Sequence, residues 1–237
     1  MLPATGRVIM VSGAGRGIGL AIARALHARG HGLSLGARDP ERLAAAIADF
    51  ADDRVMTHRF EATDAANNAA WVAATVDRFG RLDGLVNNAG IVGPATLDDA
   101  DEAALDALWA VNVKGPTRMI RLAMPHLRRA GHGRIVTIAS LSGKRVANDN
   151  AGYAMSKFAV VALTHAARRA GWDDGVRATA LCPGLVATDM SANFTAVARE
   201  DMIQPEDLAA LVATVIALPN TASVAEIPVN CRFEAML

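Results

Sequence analysis

Six short runs of β-branched and aliphatic residues recur along the chain: RVIMVS (Arg7 to Ser12), GLSLGA (Gly32 to Ala37), RVMTHRF (Arg54 to Phe60), GLVNN (Gly84 to Asn88), RIVTIAS (Arg134 to Ser140) and VRATALC (Val176 to Cys182). Between them lie long Ala/Leu-rich stretches, at 17–29, 40–51, 65–79, 101–129, 152–171 and 206–217, that read as helices. Alternation of this kind marks repeated βαβ units. Apolar strands separated by helices imply a sheet covered on both faces, so the pattern predicts an α/β fold, a doubly wound parallel sheet of about seven strands. In such a sheet ligands bind beyond the carboxyl ends of the strands, and every motif below falls at one of those ends.

At 237 residues the chain is long for one domain but within the range of an undivided α/β sheet. No linker, charge block or repeat divides it, so residues 1–237 are expected to form a single domain, with the irregular stretch around 187–204 as a substrate loop. A hydrophobic content of 52% excludes intrinsic disorder. The 24 basic and 24 acidic residues cancel, which removes a broad electrostatic case for nucleic acid or a membrane surface and favours a small-molecule partner. Cys182 and Cys231 have neither C-x-x-C spacing nor a His cluster, so no metal site or disulfide framework is expected. No apolar run approaches the roughly 18 residues of a membrane span, and the first residues lead straight into a strand, so a cytoplasmic location is expected.

Three motifs carry chemistry. Ser12-Gly-Ala-Gly-Arg-Gly-Ile-Gly19 joins the first strand to the first helix, with Gly13, Gly17 and Gly19 spaced G-x-x-x-G-x-G. Glycines there let the backbone turn tightly and approach a pyrophosphate, which the helix N-terminus attracts. The lack of a Gly-Lys-Ser/Thr ending excludes an ATPase-type phosphate loop. At the end of the second strand a carboxylate would bind ribose hydroxyls, whereas an arginine accommodates the 2′-phosphate of NADP. Here Ala37 takes the acid position and Arg38 follows, with Arg16 in the glycine turn, which favours NADP(H) and keeps NAD(H) as the other reading. Asp39 is the acid after a one-residue register shift, or else the N-cap of the next helix. The third motif is Tyr153-Ala-Met-Ser-Lys157, thirteen residues after Ser140. On a helix, residues four apart share a face, and an ammonium beside a phenol favours the ionised form that a general base requires.

Adding Asn87-Asn-Ala-Gly90, Asn112 in AVNVKG and PGLVATDM from Pro183 to Met190, the chain resembles the short-chain dehydrogenase/reductase family from Arg7 to about Val229. The resemblance implies a single-domain Rossmann fold and a homodimer or homotetramer. It implies that Tyr153 exchanges a proton with the substrate oxygen while hydride passes to or from a nicotinamide. Ser140 would orient that oxygen, Lys157 would hold the nicotinamide ribose, and Asn112 would anchor a water linking Lys157 to solvent. The cofactor would be bound by Gly13, Arg16, Gly17, Ile18 and Gly19, by Arg38, and by Glu61 and Ala62 at the adenine. Asn87, Ala89 and Gly90 would lie on its adenine side, and Pro183, Gly184, Val186 and Thr188 around the nicotinamide. The substrate, a ketone or aldehyde and its alcohol, would meet Ser140, Leu141, Ser142, Tyr153, Leu185 and Met190, with Val92 beside them.

The chain departs from the family pattern at Ser12, where Thr is commoner, at Glu61 and Ala62, where Asp and a larger side chain are commoner, and near the C-terminus, which lacks the usual Asp-Gly-Gly. The last departure bears on tetramer contacts. The polar stretch Lys144, Arg145, Asn148, Asp149 and Asn150 is either a polar substrate contact or a solvated loop. A non-catalytic dinucleotide sensor on this fold would be expected to have lost one of Asn112, Ser140, Tyr153 and Lys157. A sugar-nucleotide epimerase of the extended branch would need a further substrate domain, for which 237 residues leave no room.

Overall fold

A computed structural model describes residues 1–234. Its strands are β1 (Val8–Ser12), β2 (Gly32–Ala37), β3 (Val55–Arg59), β4 (Gly84–Asn87), β5 (Arg134–Ile138), β6 (Arg177–Pro183) and β7 (Glu226–Val229). They form one parallel sheet in the order β3-β2-β1-β4-β5-β6-β7. The order reverses between β1 and β4, which opens a crevice at their carboxyl ends where a doubly wound fold takes its ligand.

Helices α1 (Gly17–Ala28), α2 (Pro40–Ala46) and α7 (Pro205–Ala217) bury their apolar residues on one face of the sheet, with Ile22, Leu26, Leu43, Leu208 and Val212 against Ile9, Val11 and Leu33. On the other face α3 (Ala65–Phe79), α5 (Gly115–Arg129) and α6 (Ala151–Ala170) pack Trp71, Met119, Leu127 and Ala167 against Met10, Leu85 and Ile135. Alternate residues of the same strands serve the two cores, as the pleat requires. Trp71 is fully buried against Gly36, where an added Cβ would lie 2.6 Å from the indole, and its Nε1 donates to Ser34 Oγ at 2.8 Å.

The amino ends of the strands hold the buried charges other than Lys157. Asp83 accepts from the Val8 amide (2.9 Å) and is gripped by Arg81 at 2.7 and 2.8 Å. Arg7 and Arg134 donate to the carbonyls that close α7, those of Ile216 and Leu218. Structural charge thus sits at one end of the sheet and the candidate chemistry at the other.

Two helices differ from expectation. The one expected to reach residue 51 stops at Ala46, and Phe50 then folds back to stack on His27 with ring centroids 4.2 Å apart. The stretch expected as one helix over 101–129 is α4 (Ala103–Leu108), a π-helical segment Trp109–Lys114, then α5. Pro116 explains the break, since proline gives no amide to the residue four before it and its ring crowds that carbonyl. The residue four before it is Asn112.

Candidate active site

The glycine turn is set by its backbone. Gly13 and Gly17 have φ of +69° and +52°, which side-chain-bearing residues rarely adopt. A Cβ on Gly13 would come within 2.9 Å of Asn88 Nδ2, and one on Gly19 within 2.2 Å of the Gly13 carbonyl oxygen. Ser12 Oγ gathers the amides of Asn88 (3.0 Å) and Ala89 (3.1 Å), so the hydroxyl at the head of the turn ties it to the end of β4. Arg16 is the N-cap of α1 and supplies no side-chain cap, which leaves the first amides of the helix for an anion.

A cleft of about 830 Å³ runs from this turn over the ends of β2, β4, β5 and β6. That is the size of a cofactor site, and the bare glycine cradle fits a pyrophosphate. Gly13, Arg16, Gly17, Ile18, Arg38, Glu61, Ala62, Ala89 and Gly90 line it, as do Pro183, Gly184, Leu185, Val186, Thr188 and Met190. Ser140, Leu141, Ser142, Tyr153, Lys157 and Val92 also face it. Asn87, Gly19 and Asn112 do not line it. Asn87 is buried with Nδ2 unpartnered, Gly19 packs against the turn, and the neighbouring Asn88 takes the place expected of Asn87, its Nδ2 donating to the carbonyls of Ser12 and Gly13.

At the end of β2, Ala37 is buried and Asp39 accepts from the Arg42 amide at 2.9 Å, so Asp39 is the N-cap of α2. Arg42, in the first turn of α2, also faces the cleft. Arg16 is engaged by Asp189 of the 187–204 loop at 2.8 Å, both side chains more than half exposed. Glu61 turns back on Thr63 (3.2 Å). Ala62 is small because α5 begins against it, with a Cβ on Gly115 only 3.1 Å from its own.

The catalytic candidates meet at the ends of β5 and α6. Asn150 caps α6 by accepting from the Tyr153 amide (3.2 Å). Lys157 is buried, its Nζ donating to the Ile138 carbonyl at 3.2 Å and lying 5.6 Å from the Tyr153 ring centroid. Ser140 lies two residues beyond β5, its Oγ accepting from the Ser142 amide at 3.0 Å. Asn112 stands behind them. Its Oδ1 accepts from the Ile91 amide (2.9 Å), and its Nδ2 donates to the Ile91 carbonyl (3.0 Å) and to Ser156 Oγ (3.2 Å), which in turn donates to the Tyr153 carbonyl (2.8 Å). Cys182, nearby on β6, has its thiol pushed up to about 11 by burial and stays an inert thiol.

The 187–204 loop is closed at its base. Val186 bridges Ile203, Ala187 donates to the Ile203 carbonyl (2.9 Å), and Ile203 donates to the Leu185 carbonyl (3.1 Å). The loop curls through two short turns, Asp189–Ser191 and Arg199–Asp201, and brings Thr188 to 3.3 Å from where a Gly17 Cβ would be. Sequence reading missed the opposite wall. Asn230, Arg232 and Glu234 come from beyond β7 and meet Arg145, which lies 89 residues before Glu234. Arg145 holds the Glu234 carboxyl down at about 2, well below the usual carboxylate range.

A family model described as short chain dehydrogenase matches residues 7–198. Over 229 residues the chain is 48% identical to an agropine synthesis reductase of Rhizobium rhizogenes, an alignment that covers 96% of this chain and 53% of that protein. The chain spans about half the length of two such curated relatives it matches. Among solved structures, it is similar to an alcohol dehydrogenase of Thermococcus sibiricus complexed with 5-hydroxy-NADP (TM-score 0.85, 29% identity, covering 94% of this chain and 95% of that one). It is also similar to a 3-ketoacyl-(acyl-carrier-protein) reductase of Brucella melitensis complexed with NADH (TM-score 0.87, 25% identity, covering 96% and 97%).

Proposed function

The chain belongs to the short-chain dehydrogenase family, and from that premise we propose that it is an NADP(H)-dependent oxidoreductase interconverting a ketone or aldehyde with its alcohol. The observation that carries this is the meeting of Ser140, Tyr153 and Lys157 in the same cleft as the bare glycine cradle. When bound, the dinucleotide supplies or takes up the hydride. The chain's own residues manage the oxygen and its proton.

In this reading Ser140 hydrogen-bonds the substrate oxygen and Tyr153 gives it a proton or removes one, a contribution of roughly 10² to 10⁴-fold. Lys157, its chain anchored at Ile138, supplies the positive charge beside the phenol and reaches the ribose hydroxyls. The Asn112 side chain is occupied by Ile91 and Ser156, so its backbone carbonyl is the group left to hold a relay water. Pro116 supports that role by withholding the amide a regular helix would give this carbonyl. Arg38 and Arg42, with the neighbouring Asp39 carboxylate engaged as the cap of α2, support NADP over NAD.

We read the 237 residues as one dinucleotide-binding catalytic domain, with the loop around 187–204 covering the substrate. The unpaired thiols of Cys182 and Cys231 suit a reducing compartment such as the cytoplasm, and among the described residues no helix is long and apolar enough to cross a membrane. Met155 and Phe158, exposed three residues apart on α6, form part of a face for a second copy in a homodimer or homotetramer. The direct test follows NADPH and NADH absorbance over a panel of ketones, aldehydes and alcohols. Tyr153 is the only tyrosine, so Tyr153→Phe leaves no other phenol to substitute. Turnover should vanish while NADPH binding stays near wild type, and turnover persisting in that variant would remove Tyr153 from the chemistry.

A further inference from the structure

On the substrate side of the cleft, two segments distant in sequence bring three charged side chains together. Arg145 grips Glu234 with both arms of its guanidinium, Nε to Oε2 at 2.5 Å and NH2 to Oε1 at 2.7 Å. Asn230 Nδ2 donates to the same Oε1 at 3.0 Å, and Arg232 Nε stands 3.9 Å from it. Both oxygens of Glu234 are thus committed to Arg145, whose side chain is only 11% exposed, while Arg232 stays 60% exposed. Among the described residues one carboxylate faces two guanidinium groups, so one positive charge is in surplus and Arg232 carries it.

The cluster lies close to the candidate chemistry. A Cβ on Gly184 would be 2.8 Å from Asn230 Oδ1 and 3.1 Å from Leu141 Cδ1, so only the width of a missing side chain separates the cluster from the residue following Ser140. Leu141 and Leu185 supply apolar wall between them. The chamber therefore offers a hydroxyl and a phenol at one end and an unbalanced guanidinium at the other.

We propose that this chamber takes a carbonyl compound that also carries a carboxylate, with Arg232 as the anion's partner and the Arg145–Glu234 pair as the fixed frame that presents it. The proposal rests on the oxidoreductase reading for the carbonyl half of the substrate. A single surplus charge matches a monoanion, and a planar guanidinium matches the two oxygens of a carboxylate.

The test compares acetoacetate and levulinate with their methyl esters, by calorimetric binding with and without NADPH and by kcat/KM. A charge-assisted hydrogen bond exceeds a neutral one by enough to make each acid bind about tenfold more tightly than its ester. Arg232→Gln should lower the acid-to-ester ratio about tenfold, and Glu234→Gln, which adds one net positive charge to the cluster, should raise it. Acid and ester binding alike, or both variants shifting the ratio in the same direction, would overturn the carboxylate assignment. The two readings separate cleanly. Selective binding of the acids with no turnover of any carbonyl upholds the anion site and removes the oxidoreductase reading. Turnover of neutral ketones with no preference for the acids does the reverse.

Discussion

Asn112→Ala tests whether the candidate site is held together by a side chain that never touches the cleft. Truncation removes the partners of the Ile91 amide and carbonyl and of Ser156 Oγ. Ser156 keeps its bond to the Tyr153 carbonyl, so its loss is small. Ile91 is half-buried and partly reachable by water, which places each of its two orphaned groups near the low end of the desolvation cost, about 1 kcal/mol apiece. With the small void left by the amide, the total comes to about 2.5 kcal/mol. For a chain of this length that lowers Tm by about 5–10 °C. The measurement is thermal unfolding by circular dichroism for Asn112→Ala, Ser156→Ala and the double variant. The two single losses should fall short of additivity by about 1 kcal/mol, because both remove the bond between Asn112 and Ser156. Turnover measured well below Tm should also fall, since one end of this chain of bonds is in the cleft at Ile91 and the other is the backbone of Tyr153. A Tm within 2 °C of wild type, or strictly additive losses, would refute the reasoning.

Arg38→Ala should raise the Michaelis constant for NADPH more than for NADH, and equal changes would remove Arg38 from phosphate recognition. Asp189→Asn should free Arg16 for that phosphate. Both partners are more than half exposed, so the pair is worth no more than about 1 kcal/mol and the gain in NADPH affinity is at most about fivefold; fluorescence titration showing NADH tightening equally would exclude the role. Burial lowers His31 from 6.5 to about 4, so between those values the unfolded chain binds a proton the folded one refuses. Its contribution to stability is complete above pH 6.5 and is lost as pH falls toward 4, and urea midpoints at neutral and mildly acid pH should show a slope that His31→Asn reduces.

Most of the framework was legible because its signals are local. Strand runs, the glycine turn and the Tyr153–Lys157 spacing each lie within a few residues, and the sheet and cleft assemble around them. What escaped depended on distance or on competition. β7 is four residues, half-buried, with Pro228 inside, and it becomes a strand by pairing with β6 rather than by its own composition. The helix over 101–129 read as continuous because its apolar pattern runs through the segment that Pro116 widens. Asn87 and Asn88 are adjacent and chemically identical, and only the pleat of β4 decides which one reaches the turn. Arg145 read equally as a polar substrate contact or a solvated loop residue because its partner lies 89 positions away.

The base of the 187–204 loop is closed by main-chain bonds between residues 185–187 and 203, to which Ser191 and Arg199 add side-chain bonds to the Val186 and Ala187 carbonyls. The loop is therefore a cassette. Its interior can be lengthened, shortened or exchanged for that of another member while both splice points keep their pairing, at a closure cost that rises by only about 0.6 kcal/mol for each doubling of length. On the proposed function, selection could thus revise what the cleft accepts one insert at a time, leaving the glycine cradle and the cluster of Ser140, Tyr153 and Lys157 as a constant chassis.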